Sequence, residues 1–155
     1  MNKRLAILVL SAVSSVAATA WAQSGDHKMV LPKDLQWSDV PSLPKGAKAS
    51  VIEGPMNEAV PFTVRLKFPA NYRIPPHWHP GVERVTVLSG TFHMGLGEKF
   101  DQKKTHGLPA GGIMIMQPKT PHFAWTKSET IVQIHSTGPW VVNYVNPADD
   151  PRKSN

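Results

Sequence analysis

The sequence predicts an all-β domain, folded as a small double-sheet jelly roll. Fifteen prolines and eleven glycines in 155 residues indicate a chain with many turns. Between residues 48 and 146 there are many short segments in which apolar and polar residues alternate. After residue 22 no long segment has the apolar periodicity of an amphipathic helix. Short strands at short, regular spacing are typical of sandwiches and closed barrels.

The first 22 residues have the pattern of a secretory signal peptide. A Lys-Arg pair at positions 3 and 4 precedes residues 5–18, which are uncharged and mostly apolar but short for a membrane span. The Ala-Trp-Ala sequence that ends at Ala22 is the small-residue pattern that signal peptidase recognises. We therefore expect cleavage after Ala22 and a periplasmic or secreted protein with no stable membrane anchor. An uncleaved anchor helix is the alternative.

The composition excludes several classes of function. With 41% hydrophobic and 18% charged residues, the chain has the make-up of one globular domain. Cysteine is absent, which excludes thiolate catalysis and thiolate metal ligands. The net charge is +6, but the basic residues are scattered or paired, as in Lys103-Lys104 and Arg152-Lys153. Without a basic stripe that carries aromatic residues, nucleic acid is not an expected partner.

Beyond the expected cleavage site the chain divides into three parts. Residues 23–47 are polar and punctuated by proline, and we expect an extended arm that packs Leu35, Trp37 and Leu43 onto the domain. The barrel is expected to occupy residues 48–146. A polar and mobile C-terminal tail is expected over residues 147–155.

The strands follow from local pattern. Phe62, Val64, Leu66 and Phe68 alternate with polar residues, which predicts a strand with one buried face. A turn signal at Ser89-Gly90 divides residues 82–96, which predicts a hairpin there. A polar loop is predicted over residues 97–110, and further strands over 113–117, 122–126, 131–135 and 140–145.

Four residues form a candidate metal site. His77 and His79 lie two apart, so in extended backbone they project from the same face. Glu83 follows the Pro80-Gly81 turn and can return to that face, and His122 begins a later strand after a tight turn. Three imidazoles and one carboxylate suit one divalent transition metal with an open position, and Fe, Mn, Cu, Ni and Zn all remain candidates.

The other histidines are weaker candidates. His27 and His106 lie in polar stretches, and His93 lies in a strand, so we expect surface or packing roles for them. His135 shares a strand face with Gln133. One possible role for His135 is to line the cavity as a supporting or acid–base group.

The spacing of these residues resembles the first motif of the cupin superfamily. His77-Trp78-His79, Glu83 and Gly90 match that motif, and Asn71 stands where the family has its opening glycine. Asparagine is another residue that tolerates the left-handed backbone conformation.

The second cupin motif is matched less completely. Gly111 and His122 match, whereas Gln117 and Lys119 replace the usual proline and glycine. The chain also resembles exported single-domain bacterial cupins of the conserved-barrel type. The resemblance implies a double-stranded β-helix, that is, a cupin jelly-roll barrel. Cupins commonly form homodimers, and covering the arm and the exposed strand edges gives a further reason to expect one here.

Three classes of function remain open. The four residues match cupin oxygenase ligands, so the resemblance implies a metal-dependent oxidoreductase, an oxygenase or oxidase that acts on a small oxygen-containing substrate. Glu83 would then be the catalytic base. The alternatives are a non-redox metal-dependent isomerase or lyase, and a non-catalytic module that binds a small ligand, because the fold alone does not name the reaction.

Overall fold

The computed structural model describes residues 27–153, so the signal peptide predicted over residues 1–22 lies outside the described residues. Within the described range no helix has the length and apolar character needed to cross a membrane. Short 3₁₀ turns and eleven strands make up its regular structure. The strands are β1 (Ser38–Asp39), β2 (Lys48–Glu53), β3 (Pro61–Phe68), β4 (Arg73–Trp78), β5 (Glu83–Ser89), β6 (Thr91–Leu96), β7 (His106–Pro109), β8 (Ile113–Met116), β9 (His122–Thr126), β10 (Thr130–Thr137) and β11 (Asn143–Tyr144).

The strands form two antiparallel sheets, which confirms the predicted all-β jelly-roll barrel. One sheet has the order β1-β2-β3-β10-β5-β8, and the other has the order β11-β4-β9-β6-β7. Several neighbours in the sheets come from distant parts of the sequence, as where β3 pairs with β10 over its whole length. The two inner faces enclose the core, and the metal-site candidates come from both sheets.

The alternation predicted for β3 is confirmed by burial. Phe62, Val64 and Phe68 are at most 2% exposed, and Leu66 is half-buried against the same core. In the adjoining strand Val132 lies opposite Leu66, and Ile134 lies opposite Val64. The period of two therefore places one apolar wall of the barrel interior.

The predicted hairpin over residues 82–96 is wrong, although both of its strands exist. β5 pairs with β10 and β8, whereas β6 pairs with β9 and β7, so the two strands lie in different sheets. The chain turns this corner at Gly90, whose φ is +76°. A Cβ there would lie 2.6 Å from the carbonyl oxygen of Glu129. A turn signal marks a reversal of the chain, but it does not say whether the flanking strands will pair.

Other boundaries also differ from the predictions. The loop predicted over 97–110 contains a 3₁₀ turn, Gln102–Lys104, and the edge strand β7. The strand predicted over 140–145 is reduced to β11, because residues 140–142 lie outside both sheets, where Trp140 and Val142 line the interior cavity.

Both ends of the described chain pack against the barrel. Leu43 of the arm is buried, and Lys67 lies over the ring of Trp37 at 4.6 Å from its centre. At the other end, Arg152 donates hydrogen bonds to the carboxylate of Asp150 and to the carbonyl oxygen of Val142. The tail predicted to be mobile over 147–155 is thus fixed as far as residue 153.

Candidate metal centre

Strand pairing brings the three histidines of the candidate site together. His77 in β4 lies directly opposite His122 in β9, and His79 follows the end of β4. The ring centre of His77 lies 4.3 Å from that of His122 and 4.9 Å from that of His79. One nitrogen from each ring falls within a group whose members all lie within 4.8 Å of one another. The three side chains are at most 5% exposed, so they form a compact, buried set of nitrogen donors.

Backbone carbonyl groups orient all three rings. Nδ1 of His77 contacts the carbonyl oxygen of Pro75 at 2.7 Å, and Nδ1 of His122 contacts that of Thr120 at 2.9 Å. Nδ1 of His79 contacts the carbonyl oxygen of Val141 at 2.8 Å. A carbonyl only accepts, so each Nδ1 carries the proton and donates it. In the neutral form of each ring, Nε2 is left with a lone pair, as in protein sites where the second nitrogen of a histidine binds metal.

Glu83 enters the site from the opposite sheet, as the first residue of β5. Its Oε2 lies 3.3 Å from Nε2 of His122, and its Oε1 lies 3.7 Å from Nε2 of His79. The side chain is buried, yet Oε2 accepts no hydrogen bond. A buried carboxylate oxygen without a partner is costly, and a cation between it and the imidazoles would remove that cost. The donor set therefore fits a divalent metal ion.

The same surroundings set the protonation of the site. Burial, together with the neighbouring imidazoles of His122 and His79, lowers the pKa of His77 to about 3. Burial also lowers the pKa of His79, against the opposing attraction of Glu83. Burial acts to lower the pKa of His122, but the Glu83 carboxylate outweighs it and raises that pKa. Two of the imidazoles are therefore neutral and ready to bind metal at neutral pH.

The carboxylate of Glu83 responds to the same neighbours with the opposite sign. Burial acts to raise its pKa, but interactions with His122 and His79 outweigh burial and lower it. Glu83 is thus an anion at neutral pH. An anionic oxygen that lacks a hydrogen bond can bind a metal ion or accept a proton from a bound molecule.

Backbone geometry around the site explains two departures from the cupin motifs. Asn71 and Lys119 both take the left-handed conformation, with φ of +57° and +58°. These are two positions where the family motifs have glycine. The backbone N–H of Lys119 donates to the carbonyl oxygen of His79 at 2.8 Å, so this turn connects two ligand-bearing segments. The turn therefore forms without glycine.

A cavity of about 160 Å³ opens beside the four residues. Its walls come from both sheets and from the arm, and apart from the candidate ligands they are almost wholly apolar. Val40, Pro41 and Leu43 of the arm cover one side, and Trp140 covers another. No lysine or arginine of residues 27–153 lines the cavity.

The remaining histidines lie elsewhere. His135 is exposed on the outer side of its sheet, where its Nδ1 contacts the hydroxyl of Thr63 at 3.0 Å, so it does not line the cavity. His93 stacks on Trp125 with ring centres 4.0 Å apart. His27 and His106 are exposed. The structure therefore brings together the four residues selected from the sequence and none of the other histidines.

Sequence reasoning missed two residues that orient His79. Trp140 lies flat against its imidazole ring, and Val141 supplies the carbonyl oxygen that receives its Nδ1 proton. They are more than sixty positions away along the chain and carry no motif. Only the closure of the barrel places them beside His79.

Comparison with known protein families finds a match over most of the described chain. Residues 25–140 match the family described as the ChrR cupin-like domain. No curated protein matches the sequence.

Solved structures also resemble the barrel. The polyketide cyclase RemF from Streptomyces resistomycificus is 20% identical, with a TM-score of 0.67 over 82% of this chain and 91% of that one. KdgF from a Halomonas species is 18% identical, with a TM-score of 0.56 over 72% of this chain and 94% of that one. Salicylate 1,2-dioxygenase from Pseudoaminobacter salicylatoxidans is 12% identical, with a TM-score of 0.51 over 61% of this chain and 25% of that one. At these identities the likeness shows the fold alone.

Proposed function

This chain belongs to the family of ChrR cupin-like domains, and on that premise we propose that it binds one divalent transition metal through His77, His79, Glu83 and His122. We propose further that it is a metal-dependent oxidoreductase, an oxygenase or oxidase, acting on a small oxygen-containing substrate. When bound, such a metal polarises an oxygen atom of the substrate and, if it is redox-active, supports chemistry with dioxygen.

One observation carries this proposal. Three buried imidazoles are held by their Nδ1 protons so that their free nitrogens converge, and the buried Oε2 of Glu83 faces them without a hydrogen bond. A histidine cluster built only for stability would be expected to pair that oxygen with a donor. Buried imidazole nitrogens and a carboxylate oxygen that converge without hydrogen-bond donors support a cation site.

Glu83 is the residue that we propose as the catalytic base. Its lowered pKa keeps it anionic at neutral pH, and it borders the cavity in which a substrate would bind. An anionic carboxylate can take a proton from a hydroxyl group or from a carbon next to a carbonyl group. The apolar walls lower the local dielectric constant, which strengthens this interaction.

A second candidate is a non-redox isomerase or lyase, in which the metal only polarises the substrate. The similarity to a polyketide cyclase is the observation that favours it, whereas the similarity to a salicylate dioxygenase favours the first candidate. Both are similarities of fold, so the reaction must be decided by experiment. A non-catalytic module that binds a small ligand is the third candidate.

Two further proposals concern the setting of the protein. We propose export to the periplasm or beyond the cell, with cleavage after Ala22, on the strength of the N-terminal sequence pattern.

We also propose a homodimer in which a second copy covers β8, an edge strand whose Ile113 and Ile115 are 58% and 56% exposed. Sedimentation of wild type and of Ile115→Lys tests the dimer, since a lysine there should favour the monomer.

Metal analysis tests the central proposal. The protein is purified without chelator or nickel resin, and its metal content is measured and compared with that of Glu83→Gln. We expect about one equivalent of metal in wild type and less in the variant.

Oxygen uptake is then screened with small hydroxylated and carbonyl compounds. Uptake that Glu83→Gln abolishes supports the oxidoreductase, and conversion of a compound without oxygen uptake supports the non-redox candidate. Protein that takes up no metal would contradict the site itself.

A further inference from the structure

We propose that the substrate is a compact, largely apolar molecule about the size of a single six-membered ring, polar only at the end that meets Glu83 and the three histidines. This inference rests on the proposed metal site, because it assigns the chemistry of the molecule that the same cavity accepts. It excludes sugars and molecules with a second charged group.

The walls of the cavity carry the first step. Beyond the four candidate ligands they are formed by side chains such as Val64, Phe68, Val132 and Ile134, which are at most 4% exposed. The polar residues that remain are Asp39 in β1 and Ser42 just beyond it, and the side chain of Asp39 is 77% exposed. A hydroxyl or charged group on the far part of a ligand would be buried there without a partner, which costs at least about tenfold in affinity.

Charge gives the second step. A ligand with a remote carboxylate needs a cation beside it, and no arginine or lysine of residues 27–153 lines the cavity. Lys48 lies outside the cavity lining and pairs with the exposed carboxylate of Asp39 at 2.9 Å. A second negative charge on the ligand would therefore be buried against apolar walls with no cation beside it.

Size gives the third step. The cavity measures about 160 Å³, and an apolar cavity of roughly 150 Å³ is known to hold one benzene molecule. A single ring with one small substituent fills such a space, whereas two fused rings exceed it. Close packing of a ring against Val64 and Phe68 would also supply most of the binding free energy, because the buried surface is apolar.

The test uses two probes that differ at one end. p-Cresol carries a hydroxyl group at one end and a methyl group at the other, and 4-hydroxybenzoate replaces that methyl group by a carboxylate. Binding of each to the full-length protein loaded with Zn²⁺, a redox-inert metal, is measured by calorimetry, together with 2-naphthol as an oversized probe. We expect p-cresol to bind at least about tenfold more tightly than either of the others. Equal or tighter binding of 4-hydroxybenzoate, or no binding of p-cresol, would overturn the proposal.

A pair of variants locates the binding. Val64→Phe fills the cavity from β3, and Val51→Phe makes the same change at the residue opposite it in β2, which is 54% exposed. We expect Val64→Phe to weaken p-cresol binding at least about tenfold at unchanged zinc content, and Val51→Phe to leave both unchanged. Unaltered p-cresol binding in a folded Val64→Phe protein would contradict the assignment. If that variant does not fold, the comparison of probes in wild type decides.

The outcome also separates this inference from the function on which it rests. Protein that takes up no zinc contradicts the proposed metal site, whatever p-cresol does. Protein that takes up zinc but prefers 4-hydroxybenzoate keeps the metal site and overturns the substrate class.

Discussion

Trp140 stacks on His79, with ring centres 4.0 Å apart and planes inclined by 16°. The backbone N–H of Trp140 donates to the carbonyl oxygen of Met56 at 2.7 Å, which fixes the segment that carries the ring. The next residue, Val141, accepts the Nδ1 proton of His79. One short segment thus holds both the plane and the tautomer of this imidazole.

Trp140→Ala should therefore weaken metal binding. Removing the indole frees the His79 ring to rotate, and loss of a supporting contact around a metal ligand typically costs about 10- to 100-fold in affinity. Trp125→Ala is the matched control, because Trp125 stacks on His93 at the same 4.0 Å but away from the site. Competition with a metal-binding dye measures both variants. Equal affinity in the two would show that the stack plays no part in ligation.

His122→Ala should remove most of the bound metal. His122 joins the other two histidines across the β4–β9 pairing, so its loss leaves two imidazoles and a buried, unpaired carboxylate. His106→Ala, in an exposed edge strand, should have almost no effect. Metal content and thermal stability, each measured with and without chelator, check both variants. Full occupancy of His122→Ala at neutral pH would mean that the proposed set of ligands is wrong.

Metal affinity should fall as the pH is lowered from 8 to 6. Burial acts to lower the pKa of His122, but the attraction of the Glu83 carboxylate is stronger than this effect. The pKa of His122 therefore lies above the usual value of about 6.5. A raised pKa keeps a proton on His122 at lower pH, and metal must displace it, so affinity drops about tenfold per pH unit below that pKa. Zinc titrations at several pH values measure the slope. A constant affinity across this range would contradict the protonation assigned to His122.

Substitutions at Lys119 should depend on the left-handed backbone there. Its φ of +58° disfavours β-branched residues most, so Lys119→Val should lower the free energy of unfolding by about 1–2 kcal/mol. Lys119→Gly should change it by less than about 1 kcal/mol, because relief of strain is offset by greater freedom of the unfolded chain. Lys127→Val, at an exposed bend with ordinary φ, is the control. Urea unfolding compares the three, and similar losses for the two valine variants would refute the backbone explanation.

The sequence predicted the features of this protein that depend on neighbouring residues. The period of two in β3 identified the buried wall because alternate side chains of a strand face opposite sides. The same rule placed His77 and His79 on one face, and the tolerance of asparagine for positive φ explained how Asn71 can stand where the family has glycine. Each of these conclusions needs only a few consecutive residues.

The tertiary structure decided what depends on pairing between distant segments. It assigned β5 and β6 to different sheets, turned His135 outward, and brought Trp140 against His79 across more than sixty residues. It also placed Glu83 in the sheet opposite the three histidines, where burial and imidazole neighbours together set its charge. Local pattern does not contain this information, because the free energy that selects sheet partners comes from burying side chains far apart in the sequence.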